Sequence, residues 1–277
     1  MPKHTFIGGI YMKKIISVFL ITLLVISVFT GCSSKEDWAY IDDKGELTVG
    51  ITLFSPMNYY EDEAKTKLVG FETEFAEAVC KELGLKAKFQ VIDWNSKETE
   101  LKAKNIDCIW NGMTITDERK ANMDISIPYL ENKQVMVVKS ENLEKYNDSA
   151  NIAGARVVAE TKSAGETVAT KNEIFKDATF TAVDTQQKAL MEVAAGTADI
   201  AVVDYVMSIG SIGEGTSYTN LVVTSQEFSK EQYGIAFRKD SPETLEKVNN
   251  AIKALAESGK LAEIAAKYKL QDLLIVE

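Results

Sequence analysis

The chain has 277 residues, of which 45% are hydrophobic and 26% charged, and its formal net charge at pH 7 is −10. An acidic protein repels the phosphate backbone, so nucleic acid is excluded as a partner. The only histidine is His4, which lies in a segment predicted to be removed. We therefore expect no histidine-based catalysis, no metal site and no cofactor in the mature protein.

The N-terminal region has the order of a secretory signal. Lys13 and Lys14 precede an apolar run over residues 15–29. That run is short for a transmembrane helix, which needs roughly 20 residues. We predict that residues 1–31 form a signal peptide with Met12 as its start. Its removal takes away three lysines and no acidic residue, so the mature chain is more acidic still.

The end of this signal, Phe29-Thr30-Gly31-Cys32, resembles the bacterial lipobox, with Phe29 in place of the usual leucine. The resemblance implies cleavage before Cys32 and attachment of a diacylglyceryl group, such as one carrying palmitate, to the Cys32 thiol. Two or three acyl chains anchor a protein stably, whereas a single chain is marginal. Residues 32–46 would then be the lipidated cysteine and tether of an extracytoplasmic protein. The alternative is a plain signal peptide.

The remaining pattern alternates strand-like runs with amphipathic helices, which predicts an α/β fold with helices flanking parallel strands. About 246 mature residues suit two lobes of ordinary size. Predicted helices include 71–83, ended by Gly84, and 186–195, ended by Gly196. The predicted strands are 47–51, 87–91, 107–110, 135–138, 156–159, 199–203 and 234–237. Cys80 and Cys108 lie among apolar residues and are expected to be buried thiols without a disulfide.

Polar residues follow one predicted strand where a core would be apolar. After residue 110, Asn111 and Gly112 form a turn, and Thr116 is placed to cap a new helix. Such a turn presents free backbone N–H groups that suit an anion. Thr114 adds a hydroxyl, and Arg119 can return its guanidinium to a carboxylate. The alternative is that Arg119 lies on the surface beside neighbouring acids.

Three further features complete a candidate pocket. Ser163 follows a second strand in a small polar turn and is a second anion donor. Asp204 ends an apolar strand and can accept from an ammonium, although a helix cap is the competing role. Aromatic residues that include Phe54 and Trp94 follow two other strands, either as core or as walls of a ligand pocket. One anion site, one cation acceptor and aromatic walls suit a zwitterion.

The chain resembles the extracellular solute-binding family for polar amino acids, which includes glutamine-, histidine- and lysine/arginine/ornithine-binding proteins. The resemblance runs from Leu47 to Tyr268. Its most specific segments are VGFETEFAEAV, IDCIWNGMTITDER, ADIAVVD and QYGIAF, in this order. It implies a two-lobed, type II periplasmic-binding-protein clamp with the ligand in the cleft between the lobes. Such a clamp would deliver a polar amino acid to the transmembrane permease of an ABC importer.

The resemblance also implies roles for single residues. Gly112, Thr114 and Arg119 match positions that hold the ligand's α-carboxylate, and Asp204 matches the acid that takes its α-ammonium. The aromatic walls around the ligand side chain match Phe54 and Trp94, and the second-lobe turn matches Ser163 and Ala164. Two departures stand out. Lys162 replaces the usual glycine before Ser163, and Ile51 replaces an aspartate found in several relatives.

Glu160 is the residue from which we predict specificity. By its spacing from Ser163 it falls at a pocket-lining position of the second lobe. An ionised carboxylate in a closed pocket disfavours acidic ligands and favours a side chain with donors. The expected order is basic amino acids, then glutamine or another neutral ligand such as cystine, then acidic ones. The alternative is that Glu160 points away and pairs with Lys162 or Arg156.

The resemblance implies lobe 1 over residues 47–128 and 234–277 and lobe 2 over 133–231, with hinge crossings at 129–132 and 232–233. We expect a monomer without enzymatic activity. The rival from another class is a dehydratase on the same fold, with Glu160 as proton donor. A third reading, the sensing domain of a receptor, is not favoured because the sequence holds no second apolar span.

Overall fold

The computed structural model describes residues 37–276, so the predicted signal segment and Cys32 lie outside the described residues. The strands are β1 (Glu46–Ile51), β2 (Tyr59–Tyr60), β3 (Leu68–Val69), β4 (Lys86–Val91), β5 (Cys108–Ile109), β6 (Met123–Ile125), β7 (Leu130–Lys139), β8 (Arg156–Glu160), β9 (Thr179–Val183), β10 (Ile200–Asp204), β11 (Leu221–Tyr233) and β12 (Ala236–Arg238). The helices are α1 (Asp37–Lys44), α2 (Phe71–Glu82), α3 (Lys97–Lys102), α4 (Asp117–Asn122), α5 (Leu143–Asn147), α6 (Ala164–Lys171), α7 (Gln186–Ala195), α8 (Tyr205–Ser211), α9 (Pro242–Glu257) and α10 (Lys260–Lys267). In this part of the chain no helix is long and apolar enough to cross a membrane.

Two five-stranded sheets divide the described chain. The first has the strand order β4-β1-β5-β12-β6, and the second has the order β11-β7-β10-β8-β9. We call the elements around the first sheet lobe 1 and those around the second sheet lobe 2. The prediction of an α/β fold is confirmed.

The predicted helices form where the hydrophobic period indicated. In α2 the apolar stripe of Phe71, Phe75 and Val79 is fully buried. Gly84 follows the helix with φ 71°, a left-handed conformation that favours glycine. Helix α9 opens with Pro242 at its first position, where the missing N–H costs nothing. Local sequence therefore determines these element boundaries.

The sheets are mixed, whereas the alternating pattern predicted parallel strands. In the first sheet β1 pairs in parallel with β4 and β5, but β12 is antiparallel to both β5 and β6. In the second sheet β7 is antiparallel to β10 and β11. Strands β2, β3, β6, β9 and β11 were not predicted: the first three have only two or three residues, and β9 and β11 carry more polar residues than buried parallel strands do.

Strands β7 and β11 run beside each other across the region between the two sheets. Leu130 pairs with Tyr233 and Asn132 with Glu231 at one end of this long ladder. The chain thus passes between the lobes through two adjacent, hydrogen-bonded segments. Cys80 and Cys108 are buried and free, as their apolar surroundings suggested.

Candidate ligand-binding site

A cavity lies between the two lobes. Residues from both lobes line it: Trp94, Asn111, Gly112, Thr114, Arg119, Glu160, Ser163, Ala164, Gln186 and Asp204. Nine of these were singled out in the sequence, and Gln186 was not. Phe54 is buried but does not line the cavity. Its ring lies one layer back, 3.3 Å from where a Cβ on Gly112 would stand.

Arg119 enters the cavity from the first turn of α4. Thr116 caps this helix and accepts a hydrogen bond from the Arg119 N–H at 3.2 Å. The guanidinium donates from Nη1 to the Thr114 carbonyl at 2.7 Å and from Nη2 to the Lys162 carbonyl at 3.3 Å. Arg119 is only 9% exposed, so the surface alternative is wrong. Burial lowers its pKa, with Asp204 opposing that effect.

Arg119 has carbonyl partners and no carboxylate partner among the described residues. The arginine ion pairs there belong to Arg156 and Arg238. A buried guanidinium has five donors in a fixed plane and is stabilised best by a bidentate carboxylate. The remaining N–H groups of Arg119 are therefore suited to an anion in the cavity.

Asp204 faces the same cavity from the end of β10 and is 6% exposed. Its Oδ1 accepts from the side-chain amides of Asn132 at 2.8 Å and Gln134 at 2.6 Å, and its Oδ2 accepts from Gln186. Burial raises the pKa of Asp204, and these three amides oppose the rise. Because amides are neutral, they stabilise the carboxylate without neutralising it, which leaves it able to bind a cation.

Gln186 and the Asn132–Gln134 pair are the functional residues that sequence reasoning missed. Gln186 also accepts from the Asp204 backbone N–H at 2.8 Å, so it holds both ends of that residue. Gln186 is the first residue of α7, where the sequence pattern predicts only a helix. Nothing in the local sequence points from this amide to a carboxylate 18 residues later.

A second acid shares the amide cluster. Glu231 Oε2 accepts from Asn132 at 3.1 Å and Gln134 at 3.0 Å, and also from the Thr114 hydroxyl at 3.1 Å. Burial and the nearby Asp204 both raise the pKa of Glu231. The Thr114 hydroxyl is thereby directed towards an acid of the amide cluster.

Glu160 lies in the cavity wall at the end of β8 and is 4% exposed. In the described part of the chain its carboxyl has no hydrogen-bond or ion-pair partner. Burial raises its pKa to about 8, with a further rise from Asp204 and opposition from Lys97 and Arg119. The surface alternative is wrong, because Arg156 pairs with Asp199 and the Lys162 ammonium donates to the Asn95 carbonyl.

The turn at Gly112 is built differently from the sequence prediction of free N–H groups. The Gly112 N–H donates to the buried Glu72 carboxylate at 2.8 Å. Glu72 also accepts from the Tyr129 hydroxyl and, at 2.9 Å, from Asn58. Burial raises the pKa of Glu72 to about 7, and these hydrogen bonds oppose the rise.

The Asn111 side chain is likewise engaged within lobe 1. Its Oδ1 accepts from the Thr52 N–H at 2.8 Å, and its Nδ2 donates to the Thr52 hydroxyl at 2.6 Å. In lobe 2, Ser163 caps α6 by accepting from the Glu166 N–H at 3.0 Å. These side chains shape the two turns, and both residues line the cavity.

The two lobes touch at Lys162, so the structure is that of a closed cleft. The Lys162 carbonyl accepts from Arg119 and from Lys97 Nζ at 3.4 Å. Lys97 also lies over the Trp94 ring, 4.5 Å from its centroid, and burial lowers the pKa of Lys97 to about 8. Lys162 has φ 55°, a left-handed conformation that favours glycine.

Within residues 37–276, a buried cation that pairs with no carboxylate and a buried carboxylate that pairs with no cation face one closed cavity from opposite lobes. This arrangement defines a clamp that closes on a small zwitterion. The sequence matches the model of the bacterial extracellular solute-binding proteins, family 3, over residues 47–271.

Known proteins with similar sequences and folds bear this out. The chain is 28% identical to the L-cystine-binding protein TcyJ of Escherichia coli over 234 residues, which is 82% of this chain and 84% of that protein. It is 27% identical to the arginine-binding extracellular protein ArtP of Bacillus subtilis over 262 residues, or 93% and 98% of the two chains. A solved structure of the ancestral amino-acid-binding protein AncCDT-1, described as a precursor of cyclohexadienyl dehydratase, matches with a TM-score of 0.75 and 29% identity, covering 83% and 98%.

The chain belongs to family 3 of the bacterial extracellular solute-binding proteins. The fold is the type II clamp that the resemblance implied. The protein is a component of an ABC importer that binds a polar amino acid and delivers it to the permease.

Proposed function

We propose that this binding protein prefers a basic amino acid and that the Glu160 carboxyl receives the ligand's cationic side chain. The observation that carries the proposal is a carboxyl group that is 4% exposed, faces the cavity and has no partner among the described residues. A buried polar group without a partner is costly, and a donor from the ligand removes that cost.

The charges around the cavity favour the same ligand. Among the residues that line the cavity, Arg119 is the cationic one, and Glu160 and Asp204 are the acidic ones. A neutral zwitterion leaves this imbalance unchanged, whereas a ligand with one net positive charge reduces it. An acidic ligand would add a further negative charge to a buried cluster, which is strongly unfavourable.

We assign the two ends of the ligand's backbone to opposite lobes. Arg119 binds the α-carboxylate, with help from the turns at Gly112–Thr114 and Ser163–Ala164. Asp204 binds the α-ammonium while Gln186 and the Asn132–Gln134 pair hold its carboxylate in place. The Trp94 ring packs against the ligand side chain, and its buried Nε1 has no hydrogen-bond partner among residues 37–276.

The ligands that compete with a basic amino acid in this proposal are neutral, and cystine is the first of them. Of the two relatives, ArtP is named for arginine, whereas TcyJ of E. coli is named for L-cystine. Cystine has a second ammonium group, so it too can present a cation to Glu160. Cystine also has a second carboxylate. Besides Arg119, the one cationic group described close to the cavity that could pair with it is Lys97.

Calorimetric titration with L-arginine, L-lysine, L-glutamine, L-cystine and L-glutamate tests the proposal on the wild type and on Glu160→Gln. We expect a basic amino acid to bind best and glutamate worst. A hydrogen bond to a charged group contributes about 1.5 to 3 kcal/mol, so Glu160→Gln should lose about tenfold or more of the preference for arginine over glutamine. Glu173→Gln, an exposed change in the same lobe, should leave the preference unaltered. Tightest binding of glutamate, or an unaltered preference in Glu160→Gln, would overturn the assignment.

For the lobes we keep the boundaries 47–128 with 234–277, and 133–231, joined by hinges at 129–132 and 232–233. The sheet orders support this division, since β7 and β11 pass side by side between the lobes. Closure buries the ligand, and the closed form is the one that the permease would recognise. The lobes work as a monomer, which light scattering on the purified chain tests.

At its N terminus the protein is held at the outer face of the cell membrane by a lipid on Cys32, after removal of residues 1–31. The proposal depends on the order of charges, apolar run and cysteine in the sequence. Cys32→Ser should release the protein into the medium or periplasm. Retention of that variant on membranes through detergent-free washing would contradict the lipid anchor.

The protein acts without changing its ligand. AncCDT-1 is described as a dehydratase precursor, and a protonated Glu160 has the pKa of a proton donor. Proton donation alone does not make an enzyme, because the fold serves binding and catalysis alike. Mass spectrometry of ligand recovered after long incubation should return the intact amino acid, and a product lighter by one water would establish the dehydratase reading.

A further inference from the structure

The lobes meet at a second place, away from the Lys162 turn. Helix α8 of lobe 2 presents Gly210 to the loop between residues 54 and 58 of lobe 1. A Cβ built on Gly210 would lie 2.5 Å from the Ser55 carbonyl carbon and 2.6 Å from the Pro56 nitrogen. Real side chains essentially never approach a backbone so closely, so the closed arrangement excludes any residue larger than glycine.

We propose that Gly210 is the contact that permits full closure of the clamp, and that a side chain there weakens binding of every amino-acid ligand without touching it. The inference rests on the family's amino-acid binding, and it is independent of the proposed preference for a basic ligand.

The loop of lobe 1 cannot move aside to accept a methyl group. The Phe54 N–H donates to the Asn58 carbonyl at 2.8 Å, which closes the loop on itself. The Pro56 carbonyl accepts from the Phe71 N–H at 2.9 Å, which ties the loop to α2. The Asn58 side chain is fully buried and bonds to Glu72. Displacing the loop would therefore break hydrogen bonds inside lobe 1.

Helix α8 is equally constrained on the other side. It starts directly after Asp204, the acid assigned to the ligand's ammonium. Val206 and Met207 are buried in the core, and the Val206 N–H donates to the Asn132 amide oxygen at 3.3 Å. A shift of this helix would move Asp204 and its amide partners. Separation of the lobes is the remaining way to relieve the contact.

Gly210 lies in the short helix that begins directly after Asp204, so its contact with Ser55 and Pro56 limits how near the two half-sites come to each other. The apparent affinity of a ligand falls in proportion to the population of the binding-competent state. Partial closure lowers that population for all ligands by the same factor. Alanine is also a better helix former than glycine, so the open form of the variant should be no less stable than the wild type.

The test compares Gly210→Ala with the wild type by titration with L-arginine, L-glutamine and L-cystine. We expect the affinity for each ligand that the wild type binds to fall about tenfold or more, with the order of preference kept. Ser208→Ala improves the same helix without adding an atom at the lobe contact, and it should bind within about twofold of the wild type. Binding by Gly210→Ala within about twofold would overturn the inference.

Two further measurements separate closure from folding. The ligand-free variant should unfold at a temperature equal to or above that of the wild type. With saturating ligand, small-angle X-ray scattering should show the wild type compacting and Gly210→Ala compacting less. If the variant unfolds early yet compacts fully with ligand, the inference is wrong. A wild type that binds glutamine or cystine in place of arginine refutes the proposed ligand preference and leaves this comparison intact.

Discussion

In lobe 1, Arg119 faces the cavity with two N–H groups held by backbone carbonyls, whereas in lobe 2 Asp204 faces it with three side-chain amides around its carboxylate. Neither arrangement supplies a countercharge. The turn of lobe 1 instead depends on a buried acid, Glu72, beneath Gly112. Under the ligand assignment proposed above, the carboxylate and the ammonium of a zwitterion would supply the two missing countercharges.

Removing either charge should have the largest effect. A buried charge left without its partner costs about 3 to 5 kcal/mol, so Asp204→Asn and Arg119→Met should each lose about 100-fold or more in affinity. Asp199→Asn is the matched control, because Asp199 pairs with Arg156 at the surface and exposed pairs contribute little. Titration calorimetry measures all three. A loss below about tenfold in either site variant would contradict its assigned role.

The acid beneath the lobe 1 turn should affect stability rather than ligand choice. Burial raises the pKa of Glu72 to about 7 from an ordinary 4.5, so folding favours its protonated form. The stabilisation that Glu72 contributes to the free energy of unfolding is present below about pH 4.5 and is lost as pH rises through about 7. Wild-type unfolding free energy should therefore fall relative to Glu72→Gln across this range, by about 3 kcal/mol. Urea unfolding at several pH values measures the difference.

Glu74, two residues along the same helix, provides the opposite case. Burial acts to raise its pKa, but hydrogen bonds from Lys267 and Tyr268 outweigh burial and lower it. The stabilisation that Glu74 contributes to the free energy of unfolding is therefore present at neutral pH and lost as pH falls. Glu74→Gln should change the pH dependence in the direction opposite to Glu72→Gln, and slopes of the same sign would contradict both assignments.

The lobe 2 carboxyl at Glu160 should make binding of neutral ligands depend on pH. The closed cavity raises its pKa from 4.5 to about 8, so closure around a neutral ligand takes up a proton between those values. Affinity for L-glutamine should fall as pH rises through this range, by up to about tenfold per pH unit. L-arginine keeps the carboxylate ionised and should show a weaker dependence. In Glu160→Gln, affinity for L-glutamine and affinity for L-arginine should depend on pH in the same way. If the two pH dependences still differ, the proton is taken up by Asp204 or Glu231 and the role given to Glu160 is wrong.

The smallest effect is expected at Lys162, where the lobes touch. Lys162→Gly removes a left-handed lysine and keeps the carbonyl that accepts from Arg119 and Lys97. We expect a gain of about 1 kcal/mol or less in unfolding free energy, and an affinity within about threefold of the wild type. Lys162→Ala, which loses the same ammonium and keeps the left-handed backbone, is the control. A tenfold loss in the glycine variant alone would show that the turn needs a side chain.

The sequence predicted the features that depend on neighbouring residues. The stripe of Phe71, Phe75 and Val79 indicated α2, and the strand ends before Gly112 and after Val203 indicated where polar groups would meet. These patterns are readable because helix and strand periods repeat within a few residues. The sequence did not decide whether Arg119 and Glu160 are buried. A charged residue near a strand end has the same local sequence whether it faces solvent or a cleft.

Only the tertiary structure decided which groups surround each charge. Asn132 reaches Asp204 across 72 positions in the chain, and Glu72 reaches the Gly112 N–H across 40. Gly210 meets Ser55 from the other lobe. No local pattern encodes such pairs, because they arise from strand order and from closure of one lobe on the other. The amino-acid sequence by itself thus determined the elements and the candidate charges, and packing of distant segments determined how those charges are held.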